Sequence, residues 1–314
     1  MVRSHVVLLG PQRHDPTLKD AVDSLGIRGR IAAVTAGWEE REGEDQELSA
    51  HLGGRTVNLH LYGRSEDVHQ RDPELLDAIR ARHDRLRKLQ ELYRVRLSHL
   101  MEAARELLRR ESLPGYAGLI EPEVRGAIDA VKRLDDEHTQ RVRETHVEFE
   151  LRWKPHQREH VARHRRELQQ VLDDCSALCV AGGHVAILLD RLRMFGVIDL
   201  LREQALVAWS AGAMAMAERV VVFDDRGATG EADPEVLDTG IGAVQRVVVL
   251  PHATRRLRCD DRTRIALFAR RFQPSLCAAL DPRMRMDFRA GEWSAPWGAN
   301  ALSQHGELSP VGAA

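Results

Sequence analysis

The sequence is poor in cysteine. Four cysteines occur in 314 residues, Cys175, Cys179, Cys259 and Cys277, and they show no paired C-x-x-C spacing. Cys175 and Cys179 could in principle share a metal, but the apolar segment Leu178-Cys-Val-Ala favours the core of a strand. The apolar or mixed contexts of the four residues favour reduced, mostly buried thiols, as in a cytoplasmic protein.

The sequence also lacks an excess of basic charge and lacks long apolar runs. Its formal net charge is -2, with 30% charged residues, which argues against a nucleic-acid partner. No segment approaches the roughly 18 apolar residues of a membrane span. The apolar run before Gly10 is too short for the core of a signal peptide. We therefore expect no membrane association.

Short apolar segments alternate with helical periodicity in the first and last parts of the chain. This alternation predicts an α/β fold with a mostly parallel sheet. A helix is predicted over 16–25. Strands are predicted over 4–9, 30–35, 56–62, 176–183, 205–209, 219–223, 247–250, 276–280 and 284–288.

About a hundred residues between these two parts have helical periodicity alone. Heptad-spaced apolar residues predict a long helix from Asp72, a break at 113–117 and a second helical stretch from Glu121 to about Asp173. We interpret the pair as a helical hairpin inserted into the α/β domain. Its narrow apolar stripe favours a projecting arm that could form a homodimer, and packing flat on the sheet is the alternative.

These patterns divide the chain into four parts. Residues 1–71 are expected to form the first part of the α/β domain, and 72–173 the helical hairpin. Residues 174–302 form the second part of the domain, and 303–314 a frayed tail.

Ser210 lies where a predicted strand meets a predicted helix, between the small residues Ala208 and Gly212. This is the arrangement of a nucleophile elbow, which presents the serine hydroxyl above a sheet. Small residues are needed because strand and helix pass close to each other at a strained turn. The backbone N–H of Ala211, which opens the helix, would point to a developing oxyanion.

A serine nucleophile needs a base, and the base needs an orienting group. His252 ends a β-branched strand directly after Pro251, at a strand end from which a side chain can reach a site. Asp224, Asp225 and Asp281 are candidates for the acid, and the residues alone do not choose among them. His156, His160 and His164 share a helical spacing but are interpreted as an exposed helix face rather than a metal site.

Three segments together resemble the aspartyl dipeptidase (dipeptidase E) and cyanophycinase family of serine peptidases. They are Ala181-Gly-Gly-His-Val-Ala-Ile-Leu-Leu, Ala208-Trp-Ser-Ala-Gly-Ala and Leu250-Pro-His, in this order and spacing. The resemblance implies a three-layer, flavodoxin-like fold similar to that of class I glutamine amidotransferases. It covers residues 4–62 loosely and 173–288 well.

By this resemblance Ser210 is the nucleophile and His252 the general base. The N–H groups of Gly183 and Ala211 form the oxyanion hole, and Asp225 lies where dipeptidase relatives place an acidic residue.

The chain departs from the family in two places. His184 stands where relatives commonly have Asn or Asp, so it is a candidate substrate contact, and the hairpin has no counterpart in compact dipeptidases. Arg255 and Arg256, with Arg258, could bind an acidic substrate group.

The leading hypothesis is a cytoplasmic serine hydrolase, specifically a peptidase that cleaves short peptides or amides through an acyl-enzyme on Ser210. It needs no metal and no cofactor. One alternative is a catalytically silent member of the fold that acts in interaction or dimerisation through its hairpin. An esterase of the α/β-hydrolase type is weaker, because His252 follows Ser210 too closely and His305 lies in the predicted tail.

Overall fold

A computed structural model describes residues 5–111, 113–116, 118–223 and 233–312. Its strands are β1 (His5–Leu9), β2 (Arg30–Val34), β3 (Thr56–Asn58), β4 (Cys175–Val180), β5 (Ala205–Trp209), β6 (Arg219–Val222), β7 (Glu235–Thr239), β8 (Val247–Pro251), β9 (Leu276–Leu280), β10 (Arg285–Arg289), β11 (Glu292–Ser294), β12 (Asn300–Leu302) and β13 (Leu308–Pro310). Its helices are α1 (Leu18–Ser24), α2 (Gln46–His51), α3 (Leu61–Arg71), α4 (Pro73–Arg110), α5 (Ile120–Trp153), α6 (Glu159–Asp173), α7 (Val185–Phe195), α8 (Val197–Leu200), α9 (Ala211–Met216), α10 (Ala253–Arg256) and α11 (Arg262–Phe272).

The central sheet has seven strands in the order β11-β10-β1-β5-β4-β2-β3. The five strands from β1 to β3 in this order are parallel. Strand β10 is antiparallel to β1, and β11 is antiparallel to β10. Successive side chains of β1 enter opposite cores, with Val6 and Leu8 in one and Val7 and Leu9 in the other. Helices cover both faces, because such strands bury apolar residues on each side. The predicted three-layer α/β fold is confirmed.

A smaller sheet has the order β13-β12-β9-β8, and β6 pairs with β7 in a two-stranded ribbon. Strands β8 and β9 are parallel, so both end at the same edge of this smaller sheet. Strand β13 pairs antiparallel with β12 through Asn300↔Pro310, Ala301↔Ser309 and Leu302↔Leu308. The prediction of a frayed tail from residue 303 is therefore wrong for the described residues, because backbone pairing secures the segment.

The predicted third strand is too long. It ends at Asn58, and α3 begins at Leu61 after His60 in a left-handed backbone conformation. The carboxylate of Glu42 accepts hydrogen bonds from the backbone N–H groups of Tyr62 (2.9 Å) and Gly63 (3.0 Å). These amides belong to the first turn of the helix, whose unpaired donors an acidic side chain satisfies. The helix start therefore depends on a contact 20 residues away.

Helices α4 and α5 form the predicted antiparallel pair, but the pair does not project as we expected. A buried network joins it to the rest of the domain: Arg271 of α11 contacts Asp135 at 2.7 Å and Tyr93 Oη at 2.8 Å, and Tyr93 Oη donates to Asp135 at 2.7 Å. Tyr93 Oη also accepts from the N–H of Val236 in β7. The hairpin thus packs against α11 and β7. No helix in the described ranges is long and apolar enough to cross a membrane.

Candidate active site

Ser210 stands between β5 and α9, at the predicted corner. Its backbone has φ 53° and ψ -126°, a region that is nearly restricted to glycine. A side-chain residue held there costs about 1–3 kcal/mol, which surrounding contacts must offset. The Ser210 side chain is half-buried at the turn between β5 and α9. Strained backbone of this kind is typical of a nucleophile elbow.

The glycines around Ser210 are required by close backbone approach. A β-carbon on Gly212 would overlap the carbonyl oxygen of Val180 and lie 2.7 Å from that of Ala181. A β-carbon on Gly182 would lie 2.8 Å from Ser210 Cβ and 3.1 Å from its Oγ. Gly182, shortly after β4, therefore lies directly against the serine side chain, and Gly212 lets α9 pack onto the end of β4.

Gly183 and Ala211, the residues that follow Gly182 and Ser210, are the predicted oxyanion-hole donors. Gly183 has φ 116°, and its Cα lies against the backbone of Gly37, whose carbonyl oxygen accepts from His184 N at 2.7 Å. Within the described part of the chain, neither Gly183 N nor Ala211 N donates to a backbone carbonyl. Ala211 N opens α9, where N–H groups lack intrahelical partners. An acyl-transfer site needs N–H groups of this kind, without a backbone acceptor, to bind its oxyanion.

The ends of β1 and β9 connect Ser210 to Asp281. Ser210 N donates to Leu9 O at 3.3 Å. Gly10, the residue after Leu9, packs closely on the backbone of Asp281. A β-carbon on Gly10 would overlap the carbonyl oxygen of Asp281. Asp281 directly follows β9, as Ser210 follows β5. Four strand ends, those of β1, β5, β8 and β9, therefore border one region.

His252 follows β8 in a left-handed conformation with φ 58°. Its backbone N donates to Leu280 O at 3.2 Å, which places it beside Asp281. Burial lowers the pKa of His252 below 6.5, as do the charges of Arg256 and Arg255, and the charge of Asp281 opposes them. In the described residues no hydrogen bond joins the Ser210 hydroxyl to the His252 imidazole. Catalytic hydrogen bonds are often long without substrate.

The carboxylate of Asp281 is buried and accepts from Thr254 N at 3.3 Å. It is the candidate acid that the structure brings next to His252. The other two candidates, Asp224 and Asp225, lie outside the described residues.

The predicted substrate-binding residues surround this region. His184 is exposed and caps α7, because its Nδ1 accepts from Ile187 N at 3.4 Å. Arg255 is exposed and Arg256 half-buried, and neither forms an ion pair with any described residue. Most other arginines of the described chain do have such partners, so these two remain available cations near His252.

The three histidines of the 156–164 segment each have a different environment. His156 contacts Arg193 O at 3.0 Å, and His164 contacts Asp67 at 2.8 Å. His164 is buried, so the expectation of an exposed helix face is wrong at that residue. In the described ranges no group of three His, Cys, Asp or Glu residues could hold a metal ion.

Two residues of the 3-10 segment Ala36–Arg41 were not predicted from the sequence as part of the site region. Gly37 supports the glycine pair, and Glu39 has a strained backbone with φ 61° and ψ -128°. The signal for Gly37 was its place directly after an apolar strand, as for Gly182. Nothing in the sequence marks the strain at Glu39.

The segment that carries these residues is similar to a known family of peptidases. The model of peptidase family S51 matches residues 129–279, a segment that contains the glycine pair, Ser210 and His252. The crystal structure of a peptidase from an acI-B1 Actinobacterium is similar over 98% of this chain and 94% of that chain, with 14% identity and a TM-score of 0.47. No curated protein matches the sequence. Residues 129–279 are thus similar to peptidase family S51, the dipeptidase E and cyanophycinase family, and this match supports a serine-type peptidase.

Proposed function

We propose that the protein hydrolyses short peptides through an acyl-enzyme on Ser210. The observation that carries the proposal is the strained corner at Ser210, with Gly182 against its side chain. The next residues, Gly183 and Ala211, have backbone amides that donate to no described backbone carbonyl. A hydroxyl next to two unpaired donors suits attack on a carbonyl whose oxygen becomes negative.

The proposed reaction has two steps. Ser210 Oγ attacks the peptide carbonyl while His252 takes the hydroxyl proton, and the Gly183 and Ala211 amides bind the oxyanion. Collapse of the tetrahedral intermediate breaks the C–N bond, and His252 gives its proton to the leaving amine. Water, deprotonated by His252, then attacks the ester and releases Ser210.

We propose Asp281 as the acid that orients His252, because it is buried beside it and its charge favours the imidazolium. The family resemblance allows Asp281, which matches an acidic strand-end position late in the family domain, and also Asp225. Separate Asp281→Asn and Asp225→Asn variants distinguish them, since loss of the orienting acid lowers kcat by about 10⁴-fold.

We further propose that Arg255 and Arg256 bind a carboxylate of the substrate, with His184 contacting it at the entrance. The support is the absence of ion-pair partners for both arginines among the described residues. Arg256→Gln should then raise KM for peptides with acidic groups about tenfold and leave neutral peptides unchanged. A cytoplasmic location, consistent with four free cysteines, is part of the proposal.

The test is covalent labelling. A fluorophosphonate should add to Ser210 in the folded protein, identified by mass spectrometry, and Ser210→Ala should lower peptide hydrolysis about 10⁵-fold. Ser98→Ala, on the exposed face of α4, is the matched control. No adduct on Ser210, with hydrolysis unchanged in Ser210→Ala, would reject the enzyme proposal in favour of the silent, interaction-based alternative.

A homodimer through the hairpin remains a proposal. Its outer surface exposes Leu92, Val95, Val147 and Leu151. Light scattering should give twice the monomer mass, and Leu92→Glu with Leu151→Glu should return it to monomer. A monomer at all concentrations would reject this arrangement.

A further inference from the structure

Glu39 has almost the same backbone conformation as Ser210. The torsions are φ 61° and ψ -128° at Glu39, and φ 53° and ψ -126° at Ser210. This region is normally occupied by glycine, and other residues remain there only when their surroundings hold them. Such outliers concentrate at functional sites. Glu39 is therefore a second strained position in the same domain.

The segment that carries Glu39 borders the candidate oxyanion hole. A β-carbon on Gly37 would lie 2.8 Å from Gly182 O and 3.2 Å from His184 N. Gly37 O also accepts the hydrogen bond from His184 N. Gly182 in turn packs on Ser210. Glu39 thus lies two residues beyond a direct contact with the loop that faces the nucleophile.

The acidic neighbours of Glu39 have structural partners. Glu40 accepts from Tyr62 Oη at 3.1 Å, Glu42 binds the start of α3, and Glu44 pairs with Arg41. The Glu39 carboxylate forms no hydrogen bond or ion pair with any residue in the described ranges, although the residue is half-buried. Partial removal of an unpaired carboxylate from water is unfavourable and is offset when a cation binds it.

We propose that Glu39 is a specificity-determining residue whose carboxylate binds a cationic group of the substrate, in the first place the N-terminal ammonium of a short peptide. The inference rests on the proposed peptidase function. Arg255 and Arg256, which have no ion-pair partner among the described residues, lie beside His252 after β8, whereas Glu39 follows β2. A peptide with a positive and a negative terminus matches this distribution of charge, with its scissile carbonyl between them at Ser210.

Binding to the Ser210→Ala protein tests Glu39 without turnover. Calorimetry would compare alanyl-aspartate with its N-acetylated form, and N-acetyl-lysyl-aspartate would show whether a side-chain cation serves instead. The free dipeptide should bind about tenfold more tightly than the acetylated one. Adding Glu39→Gln should remove that difference and leave the affinity of the acetylated dipeptide unchanged. If only the lysyl peptide depends on Glu39, the bound cation is a side chain.

Two variants distinguish the effect of the Glu39 charge from the effect of its backbone strain. Glu39→Gly relieves the torsional strain, so it should raise Tm by about 2 °C while losing the discrimination, and Glu39→Asp should retain part of it. Equal affinities of all three peptides for Ser210→Ala, or an equal fall in all three affinities with Glu39→Gln, would overturn the proposal. Fluorophosphonate labelling of Ser210 with wild-type Glu39 reports the peptidase function independently of either outcome.

Discussion

Gly182 packs directly on Ser210, with room for no side chain: an added β-carbon would lie 2.8 Å from Ser210 Cβ and 3.1 Å from Oγ. Gly182→Ala should therefore displace the serine hydroxyl and the neighbouring amides. We expect kcat/KM for a peptide substrate to fall at least about 100-fold, the size of effect seen when an oxyanion donor is lost. Steady-state kinetics and fluorophosphonate labelling measure it.

The matched control is Gly126→Ala. Gly126 lies on the exposed face of α5, and no atom lies within 4 Å of an added β-carbon. The activity of Gly126→Ala should be unchanged. Its free energy of unfolding should rise by about 0.5–1 kcal/mol, because alanine favours the helix. Normal activity in Gly182→Ala would contradict the placement of the glycine pair in the site.

The strain at Ser210 predicts opposite effects on stability and activity. Ser210→Gly permits the torsions φ 53° and ψ -126° without strain, so the free energy of unfolding should rise by about 1 kcal/mol while hydrolysis is lost. Ser210→Ala should lose hydrolysis equally without this gain. Urea denaturation of both variants gives the comparison, and equal stabilities would show that the corner is relaxed in solution.

The charges around His252 predict the acid limb of the pH–rate profile. Burial, Arg256 and Arg255 lower the pKa of His252, and Asp281 raises it. The imidazole must be neutral to act as a base, so kcat/KM should stay high below pH 6.5, the ordinary pKa.

Two variants test the sign of each charge. Arg256→Gln should move the acid limb to higher pH, and Asp281→Asn should move the residual limb to lower pH. Arg96→Gln, far from the site on the hairpin, should not move it. If the acid limb of the pH–rate profile moved in the same direction in Arg256→Gln and Asp281→Asn, this electrostatic explanation would be wrong.

The buried contact between Asp135 and Arg271 predicts how strongly the hairpin depends on its docking. Both side chains are 2% exposed or less. Asp135→Asn leaves the guanidinium without its counter-charge, which should lower the free energy of unfolding by about 3–5 kcal/mol. The exposed pair of Arg96 and Glu137, two residues from Asp135 on α5, joins α4 to α5 at 2.8 Å.

Glu137→Gln is therefore the control, and it should cost less than about 1 kcal/mol. Chemical denaturation monitored by circular dichroism measures both. If Asp135→Asn and Glu137→Gln lowered the free energy of unfolding by similar amounts, the hairpin would not be anchored through Arg271.

The sequence by itself determined most of the local elements and the candidate nucleophile, Ser210. Strand and helix periodicity depends on which residues are apolar, and an elbow requires small residues beside the serine, so both are readable from neighbours in the chain. The order Gly182-Gly183, Ser210, His252 further restricted the family, and the match over residues 129–279 agrees with it.

Only the tertiary structure decided the contacts between distant segments. The docking of the hairpin depends on Arg271 meeting Asp135, which lie 136 positions apart, and the strain at Glu39 depends on surroundings that no local pattern encodes. The edge strand Leu308–Pro310 likewise exists because β12 offers it backbone partners. Apolar spacing specifies which face of an element is buried, but the partner that buries it is chosen by the packing of the whole chain.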